Sequence, residues 1–194
     1  ATLRTQYRMA PPIGALVSAC FYPVPLDPGR GAPAPWFDQL PERIRSIVTW
    51  IDTSDAGRDS HDRPKNPGAD NPYEAREILD LLRSICTGGN FIQSLIDDSD
   101  EDEKPIGVIC MYAEQQRLLQ RLLSEQDWAT GYRRLIKIDT VDSYQGKENR
   151  IIIVATTRNN GRYDQGFLSS RERVNVAVSR AMDRLVIVGA ARMW

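Results

Sequence analysis

Residues 151–156 read Ile-Ile-Ile-Val-Ala-Thr, and this short run of apolar and β-branched residues decides the fold class. A continuous apolar run is typical of a strand that is covered on both faces, as in a parallel sheet. The same kind of run recurs on either side of it along the chain. The predicted strands lie at 46–52, 106–111, 135–140, 151–156 and 185–190.

Helical patterns separate these runs. Asn71-Pro72-Tyr73-Glu74 is a strong helix start, because Asn is a preferred N-cap, Pro fits the first helical position and Glu fits the third. Apolar residues follow at helical spacing until Gly88-Gly89. A second helix is predicted over 112–124, and the capping pattern Ser169-x-x-Glu172 predicts a third helix that runs to about Ala181.

The alternation of strands and helices predicts an α/β fold with a mostly parallel sheet and helices on both faces. The 194 residues have room for a single domain, 1–194, and no convincing linker divides the chain. Two polar stretches, 53–70 and 97–104, are predicted to be mobile loops. The Pro- and Gly-rich stretch 22–41 is predicted to be a connecting loop on the surface.

The composition excludes several classes of protein. Hydrophobic residues make up 41% of the chain and charged residues 26%, so the chain is not a disordered one. No apolar run approaches the roughly 20 residues of a membrane span, and an intracellular protein, cytoplasmic or nuclear and without a membrane partner, is expected. Cys20, Cys86 and Cys110 are expected to be reduced core residues, and one histidine with three scattered cysteines predicts no metal site.

The net charge of −1 conceals a basic last third. Residues 133–194 hold 12 basic and 6 acidic side chains, a balance of +6, and the rest of the chain holds 13 basic and 20 acidic side chains, a balance of −7. A basic region suits phosphate binding. A solvated surface with chance clustering of charge explains the same numbers, so the charge alone leaves both interpretations open.

A polar segment, 140–148, joins two predicted strands and carries the first candidate site residues. Thr140 and Ser143 could donate hydrogen bonds to phosphate, Gly146 would allow a close backbone approach, and Glu148 could accept from a ribose hydroxyl. Ligands in open parallel sheets bind beyond the carboxyl ends of the strands, which is where this segment is expected. A polar turn in which Gly146 supplies an unusual dihedral angle is the alternative.

Two further segments supply arginines. In Arg171-Glu172-Arg173-Val174-Asn175-Val176-Ala177-Val178-Ser179-Arg180-Ala181, Arg173 and Arg180 are seven residues apart and are expected on one helix face, where both could bind phosphate. Near the start of the chain, Tyr7 could stack on a base and Arg8 could reach a phosphate. Ordinary surface pairing of the arginines and packing of the tyrosine are the alternatives.

In their order along the chain, these segments resemble the motifs of superfamily 1 helicases. Gln6-Tyr7-Arg8-Met9, then Val141-Asp142-Ser143-Tyr144-Gln145-Gly146-Lys147-Glu148, then Arg173-x-Asn175-Val176-Ala177-Val178-Ser179-Arg180-Ala181 look like motifs IV, V and VI of that family. The resemblance is closest to the branch typified by the nonsense-mediated-decay RNA helicase, which Phe21-Tyr22, Asn71-x-x-Glu74-Ala75 and Tyr112-x-x-Gln115 also fit. It extends from Leu3 to Gly189.

The resemblance implies the second RecA-like domain of a helicase, a P-loop NTPase-type α/β fold that lacks the phosphate-binding loop itself. ATP would bind in a cleft shared with the first RecA-like domain of the same polypeptide. Tyr7 would stack on the adenine, Arg8 would reach the γ-phosphate, and Glu148 would hold the ribose, with Gly146 shaping that turn. Arg180 would be the arginine finger, which neutralises charge on the transferred phosphoryl group.

The resemblance also implies a track for single-stranded DNA or RNA. Thr140 and Ser143 would touch the nucleic-acid backbone, and Tyr112 would lie near the same channel. The sequence contains no G-x-x-x-x-G-K-[ST] loop, which, like the Mg²⁺ ligands, would belong to the first domain. The chain is therefore expected to be the C-terminal piece of a longer helicase and not to hydrolyse ATP alone.

Two positions depart from the family pattern. Ala10 stands where the family often has His, and Cys110-Met111 stands where it usually has Thr-Pro. The second departure lies on the expected strand-contact surface, and neither touches the ATP residues. Arg173 and Asn175 would organise the helix around the arginine finger. A non-catalytic nucleic-acid- or protein-binding module derived from the same fold is the main alternative, and an unrelated α/β domain is another.

Overall fold

The structure, a computed structural model, describes residues 4–100 and 102–194. Its helices are α1 (Pro11–Phe21), α2 (Pro72–Cys86), α3 (Asn90–Asp97), α4 (Ala113–Ser124) and α5 (Arg171–Val178). Its strands are β1 (Thr5–Gln6), β2 (Asp27–Pro28), β3 (Val48–Asp52), β4 (Arg63–Pro64), β5 (Ala69–Asp70), β6 (Ile106–Cys110), β7 (Ile136–Thr140), β8 (Asn149–Ala155) and β9 (Ala181–Gly189). Leu3, at the start of the helicase resemblance, and residue 101 of the predicted loop 97–104 lie outside the described residues.

The main sheet has the strand order β3-β9-β8-β6-β7, and every neighbouring pair is parallel. This confirms the predicted parallel α/β architecture. We call the end at which Cys110 lies opposite Thr140 and Ala155 the carboxyl edge of the sheet. The opposite end, at which Asn149 lies opposite Ala181, is the amino edge. The two edges are one strand length apart, about 15 Å at roughly 3.3 Å per residue.

Helices cover both faces of the sheet, as predicted. α2, α3 and α4 pack on one face around residues such as Leu82, Phe91 and Leu119, which are all fully buried. α1 and α5 pack on the other face through residues such as Ile13 and Ala177. Strand β6, which lies between β8 and β7, is buried along its whole length, which explains why its residues form a continuous apolar run.

Several element bounds differ from the sequence prediction. α5 ends at Val178, and β9 begins at Ala181, a residue that the apolar spacing assigns to the helix. Ala181 pairs with Asn149 of β8, so strand pairing takes precedence over helical spacing. The N-cap of α5 is Ser170 and not Ser169, because the Ser170 hydroxyl accepts a hydrogen bond from the third helical N–H. β3 begins at residue 48, and α3 is absent from the sequence prediction.

The connecting stretches contain more structure than their composition indicates. Within 22–41, strand β2 pairs in parallel with β1, and Phe37 and Leu40 are buried in the core. Within 53–70, strands β4 and β5 form an antiparallel pair, and the predicted mobility of this stretch stays a prediction. Cys20 is exposed, so the prediction of a core position is wrong for this cysteine. Of the helices described here, none has the length and apolar character needed to cross a membrane.

Candidate functional site

Arg8, Glu148 and Arg180 come together at the amino edge of the sheet, although 140 residues separate the first two in the chain. Nε of Arg8 forms an ion pair with Oε2 of Glu148, and the two side chains are 36% and 43% exposed. Nη1 of Arg8 donates to the Ser179 carbonyl at 3.4 Å, and Nη1 of Arg180 donates to the Lys147 carbonyl at 3.4 Å. Three of the predicted nucleotide residues thus form one accessible group, the amino-edge cluster.

The guanidinium of Arg180 is held by backbone carbonyls. Its Nε donates to the Val176 carbonyl at 3.1 Å, in addition to the bond to Lys147. Within residues 4–100 and 102–194, no carboxylate forms an ion pair with it. Partial burial, and then the nearby positive charge of Arg8, lower the pKa of Arg180, while Glu148 acts in the opposite direction. Two guanidiniums beside one carboxylate leave an excess of positive charge, which favours an anion.

Arg30 fixes the backbone of Arg8, and sequence reasoning missed it. Its Nη1 donates to the carbonyl oxygens of Arg8 at 3.0 Å and of Met182 at 2.9 Å. Its Nη2 pairs with the fully buried carboxylate of Asp183. Arg30 therefore ties the segment that carries Arg8 to the start of β9, immediately after Arg180. Its position in a Pro- and Gly-rich stretch gives no sequence signal for this role.

Tyr7 precedes Arg8 and is 74% exposed. Its ring lies across the backbone of Gly29, because a Cβ atom added to Gly29 would be 2.5 Å from Cε1 of Tyr7. Gly29 is itself anchored by its N–H, which donates to the Gln6 carbonyl at 2.8 Å. Tyr7 is thus an exposed aromatic ring with a firm support, on which another planar ring can stack.

The segment 141–148 connects β7 to β8 and crosses β6, the strand between them, on the face that α5 covers. Tyr144 anchors this crossover: its side chain is fully buried, and its hydroxyl donates to Oδ1 of Asn149 at 2.8 Å. Gly107 of β6 makes the crossing possible, because a Cβ atom there would overlap the Tyr144 hydroxyl and lie 2.7 Å from Asn149 Oδ1. Gly146 has φ +82°, a left-handed conformation that favours glycine, and it turns the chain into β8.

The crossover divides the predicted site residues between the two edges. Thr140, Ser143, Tyr112 and Arg173 lie at the carboxyl edge, and Arg8, Gly146, Glu148 and Arg180 lie at or near the amino edge. The expectation that the whole segment 140–148 lies beyond the carboxyl ends of the strands is therefore wrong. The expectation that Arg173 and Arg180 share a helix face is also wrong, because α5 runs from one edge to the other and ends before Arg180.

At the carboxyl edge, the hydroxyls of Thr140 and Ser143 lie 3.1 Å apart, and the Ser143 side chain is exposed. Tyr112 is only 5% exposed, and its hydroxyl accepts a hydrogen bond from the Phe167 N–H at 3.0 Å. The rings of Tyr112 and Phe167 stack with centroids 4.9 Å apart. The aromatic ring that faces outward is that of Phe167, which is 45% exposed and which the sequence reasoning did not identify.

Arg173 connects Phe167 to the segment that follows β7. Its guanidinium lies 4.4 Å from the centroid of the Phe167 ring. Its Nε and Nη2 donate to the two carboxylate oxygens of Asp142 at 3.1 and 3.2 Å. Arg173 therefore belongs to the surface of the carboxyl edge and not to the surroundings of Arg180. Oδ1 of Asn175 is buried and has no hydrogen-bond partner among the described residues.

A buried polar network lies beneath the carboxyl edge. Asn71 is the N-cap of α2, as predicted, and its Oδ1 accepts from the Glu74 N–H at 3.0 Å. Its Nδ2 donates to the carbonyls of Ser60 at 2.9 Å and Thr157 at 3.1 Å. The carboxylate of Glu74 does not complete a capping box but accepts from the Thr157 N–H at 2.9 and 2.8 Å. Burial raises the pKa of Glu74 to about 8.

An apolar groove of about 380 Å³ lies beside α1 and α5 and is lined by residues such as Leu16, Trp50 and Trp194. It has few polar lining groups, so it does not match the chemistry of a phosphate ligand. In the part of the chain that the structure describes, no group of three His, Cys, Asp or Glu residues is arranged to hold a metal ion.

Comparison with known proteins identifies the family of the chain. Residues 1–192 match a family model described as an AAA domain. The chain is 43% identical over 103 residues, 53% of its length, to the helicase required for RNAi-mediated heterochromatin assembly 1 of Schizosaccharomyces pombe. It is 31% identical over 99% of its length to the 5'-3' DNA helicase ZGRF1 of Mus musculus, and 35% identical over 64% of its length to the RNA helicase Mov10l1 of Homo sapiens.

These relatives are much longer proteins, and the chain spans 10% of each of them. The parallel sheet with helices on both faces is the α/β architecture that the helicase resemblance implies. The motif segments, the fold and the family match agree with one another. The chain belongs to the AAA domain family, as a C-terminal domain of the superfamily 1 helicase type.

Proposed function

We propose that this chain is the second motor domain of an ATP-dependent superfamily 1 helicase, which supplies contacts to the adenine and ribose, the arginine finger and part of a single-strand track. The observation that carries the proposal is the convergence of Arg8, Glu148 and Arg180 at the amino edge. These residues come from three segments far apart in the chain, and each carries chemistry that a nucleoside triphosphate requires.

The amino-edge cluster and Tyr7, which precedes Arg8 in the chain, together fit ATP in their aromatic, donor and acceptor groups. Tyr7 offers an exposed ring for the adenine, and Glu148 offers carboxylate oxygens for the ribose hydroxyls. Arg8 and Arg180 offer charged donors for phosphate oxygens. The ion pair between Arg8 and Glu148 is exposed and therefore costs little to open, about 1 kcal/mol or less. Bound ATP supplies the phosphoanhydride bond whose hydrolysis drives a motor.

Arg180 is the residue we assign as the arginine finger. Its carbonyl partners orient the guanidinium without neutralising it, so its charge stays available for an anion. A guanidinium that is held in place before the reaction stabilises developing phosphoryl charge without reorganisation at that moment. Gly146, with its left-handed φ, sets the direction in which the chain enters β8 and so the position of Glu148.

The remaining parts of the catalytic machinery belong to another domain in this proposal. No residues in the described part of the chain form a cluster that suits Mg²⁺, and the sequence lacks a phosphate-binding loop. We assign both to a first RecA-like domain, against which the amino-edge cluster would close. Phosphoryl transfer needs the metal and the phosphate cradle, so the chain alone would not hydrolyse ATP.

The carboxyl edge is the proposed track for single-stranded DNA or RNA. Thr140 and Ser143 present hydroxyl donors there, and such donors commonly contact the phosphate backbone. Contacts of this kind carry little sequence information, so slight sequence preference and strong salt dependence follow. The relatives named above include helicases described for DNA and for RNA, and both substrates remain candidates.

Side-chain NMR of the 194-residue chain tests the nucleotide site directly. Titration with ATP should shift the Nε–H signals of Arg8 and Arg180 and the ring signals of Tyr7. Glu148→Gln should weaken these shifts, whereas Arg162→Ala, at an exposed position outside the cluster, should not. Shifts confined to other residues, or unchanged by Glu148→Gln, would remove the assigned site and favour a non-catalytic module.

A further inference from the structure

Phe167 is an exposed aromatic side chain that the helicase motifs leave without a role. We propose that Phe167 is a stacking platform for one base of a single strand, and that the neighbouring Arg173 contacts the adjacent phosphate. This inference rests on the proposed nucleic-acid track, and it assigns to Phe167 the contact with a base of the bound strand. Flat aromatic faces bind bases of any sequence, which suits a motor that moves along its substrate.

The support beneath Phe167 is rigid. Tyr112 lies under the ring at 4.9 Å with an angle of 23° between the planes, and its hydroxyl accepts from the Phe167 N–H. Gly166 has φ +52°, and a Cβ atom there would overlap the Tyr112 hydroxyl, so only glycine allows the chain to approach so closely. Tyr112 therefore holds Phe167 in place in two ways: its ring packs against the Phe167 ring, and its hydroxyl bonds to the Phe167 backbone.

The surroundings of Phe167 join it to the hydroxyl contacts of the track. Arg173 lies over part of the ring and pairs with Asp142, which directly precedes Ser143. The side chains of Arg173 and Asp142 are 34% and 66% exposed. An ion pair in such contact with water is weak, so an incoming base can displace the guanidinium from the ring at small cost. The freed guanidinium can then neutralise a phosphate that would otherwise approach Asp142.

The charge of the surrounding segment also favours a nucleic acid. Residues 156–173 contain four arginines, two carboxylates and two exposed aromatic rings; in order they are Arg158, Arg162, Tyr163, Asp164, Phe167, Arg171, Glu172 and Arg173. Basic side chains around a supported aromatic ring are the combination that binds single strands, because the charges follow the backbone and the supported ring takes a base. Of the two rings, only that of Phe167 stacks on another ring among the described residues.

The test measures binding of fluorescently labelled single strands to the 194-residue chain at low ionic strength. One strand is oligothymidylate, and the other is an abasic strand of equal length, which keeps the phosphates and lacks the bases. Phe167→Leu keeps an apolar side chain but removes the flat face, and Phe167→Trp keeps a flat face. Tyr163→Leu is the matched control, because it removes an exposed ring from the same segment. Thermal unfolding of each variant checks that the fold is kept.

The proposal expects Phe167→Leu to weaken binding of oligothymidylate by about 5-fold to about 100-fold. Phe167→Trp should restore affinity, and Tyr163→Leu should leave it unchanged. On the abasic strand, the wild-type chain and Phe167→Leu should bind equally. Photo-crosslinking of the wild-type chain to a strand that contains 5-iodouracil should modify the peptide that holds Phe167, a readout that needs no variant to fold.

Any of four results would overturn the proposal. Equal binding of oligothymidylate by the wild-type chain and Phe167→Leu would remove Phe167 while leaving the track intact. Equal losses in Phe167→Leu and Tyr163→Leu, or crosslinks only to other peptides, would place base contact elsewhere. Failure of the wild-type chain to bind either strand at low salt would refute the track itself, and the platform with it, so the two failures are distinguishable.

Discussion

The buried network beneath the carboxyl edge can be tested through the pH dependence of stability that Glu74 confers. Its carboxyl group is fully buried, and burial raises its pKa from 4.5 to about 8, with the nearby charge of Asp62 acting in the same direction. Bonds from the Thr157 N–H and the Thr156 hydroxyl oppose that rise but do not cancel it. The folded chain therefore keeps Glu74 protonated at neutral pH, whereas the unfolded chain ionises it.

This difference makes the stability fall as pH rises. Below pH 4.5 Glu74 is protonated in both the folded and the unfolded state, so its contribution to the free energy of unfolding is fully present there. Between pH 4.5 and about 8 only the unfolded state releases it, and each pH unit lowers the free energy of unfolding by about 1.4 kcal/mol. The total loss is on the order of 3 to 5 kcal/mol, which corresponds to about 10 °C in Tm for a chain of this size.

Glu74→Gln removes the titration and keeps an oxygen that can accept from the Thr157 N–H. We expect the Tm of this variant, relative to wild type, to rise steadily from pH 5 to pH 8, as measured by circular dichroism. Glu77→Gln on the same helix is the matched control, because Glu77 is partly exposed and forms an ion pair with Arg43, and its curve should run parallel to that of wild type. Parallel curves for Glu74→Gln and wild type would refute the reasoning.

Three further predictions concern packing and hydrogen bonding. Gly107→Ala should lower the free energy of unfolding by about 1 to 3 kcal/mol, because its Cβ atom overlaps the Tyr144 hydroxyl. Chemical denaturation should show partial recovery in the double variant with Tyr144→Phe and almost no effect of Gly131→Ala, where the added atom meets nothing within 4 Å. Asn71→Ala should cost about 2 to 4 kcal/mol, because it removes a helix cap and two bonds to buried carbonyls; a loss under 1 kcal/mol in urea unfolding would contradict this. Arg30→Gln should cost about 2 to 4 kcal/mol by removing one partner of a buried carboxylate and should broaden the NMR signals of the segment that it anchors; an unchanged spectrum would exclude the anchoring role.

The sheet was predictable because each of its main strands can be recognised from its own residues alone. β6 and residues 151–155 of β8 are buried, so these stretches contain only apolar residues and glycine, and a short window of sequence is enough to recognise each. The cap of α2 was predictable for the same reason, since Asn71, its proline and the first helical turn are neighbours in the chain. Helix α3 was not predicted, because it is only eight residues long and follows the two glycines after α2.

The arrangement of the site was predictable only in part, because its contacts join distant segments. The residue types at 8, 148 and 180 came from the motif resemblance, whereas Arg30 makes its contacts across 22 and 152 residues and stands in a stretch without a pattern. The division of the site residues between two edges depends on a crossover of eight residues, and no local property of the sequence shows where a loop crosses a sheet. Phe167 is recognisable only once Tyr112 is seen beneath it.

Helix α5 spans the distance between the two edges. Its eight residues form a rod about 12 Å long, with Arg173 in its first turn and Arg180 just after its last. A helix of two turns bends little, so in the proposed motor a displacement of Arg173 by a bound nucleic acid would be passed along the helix to Arg180. In the proposed motor, this helix would connect the nucleic-acid track directly to the nucleotide site.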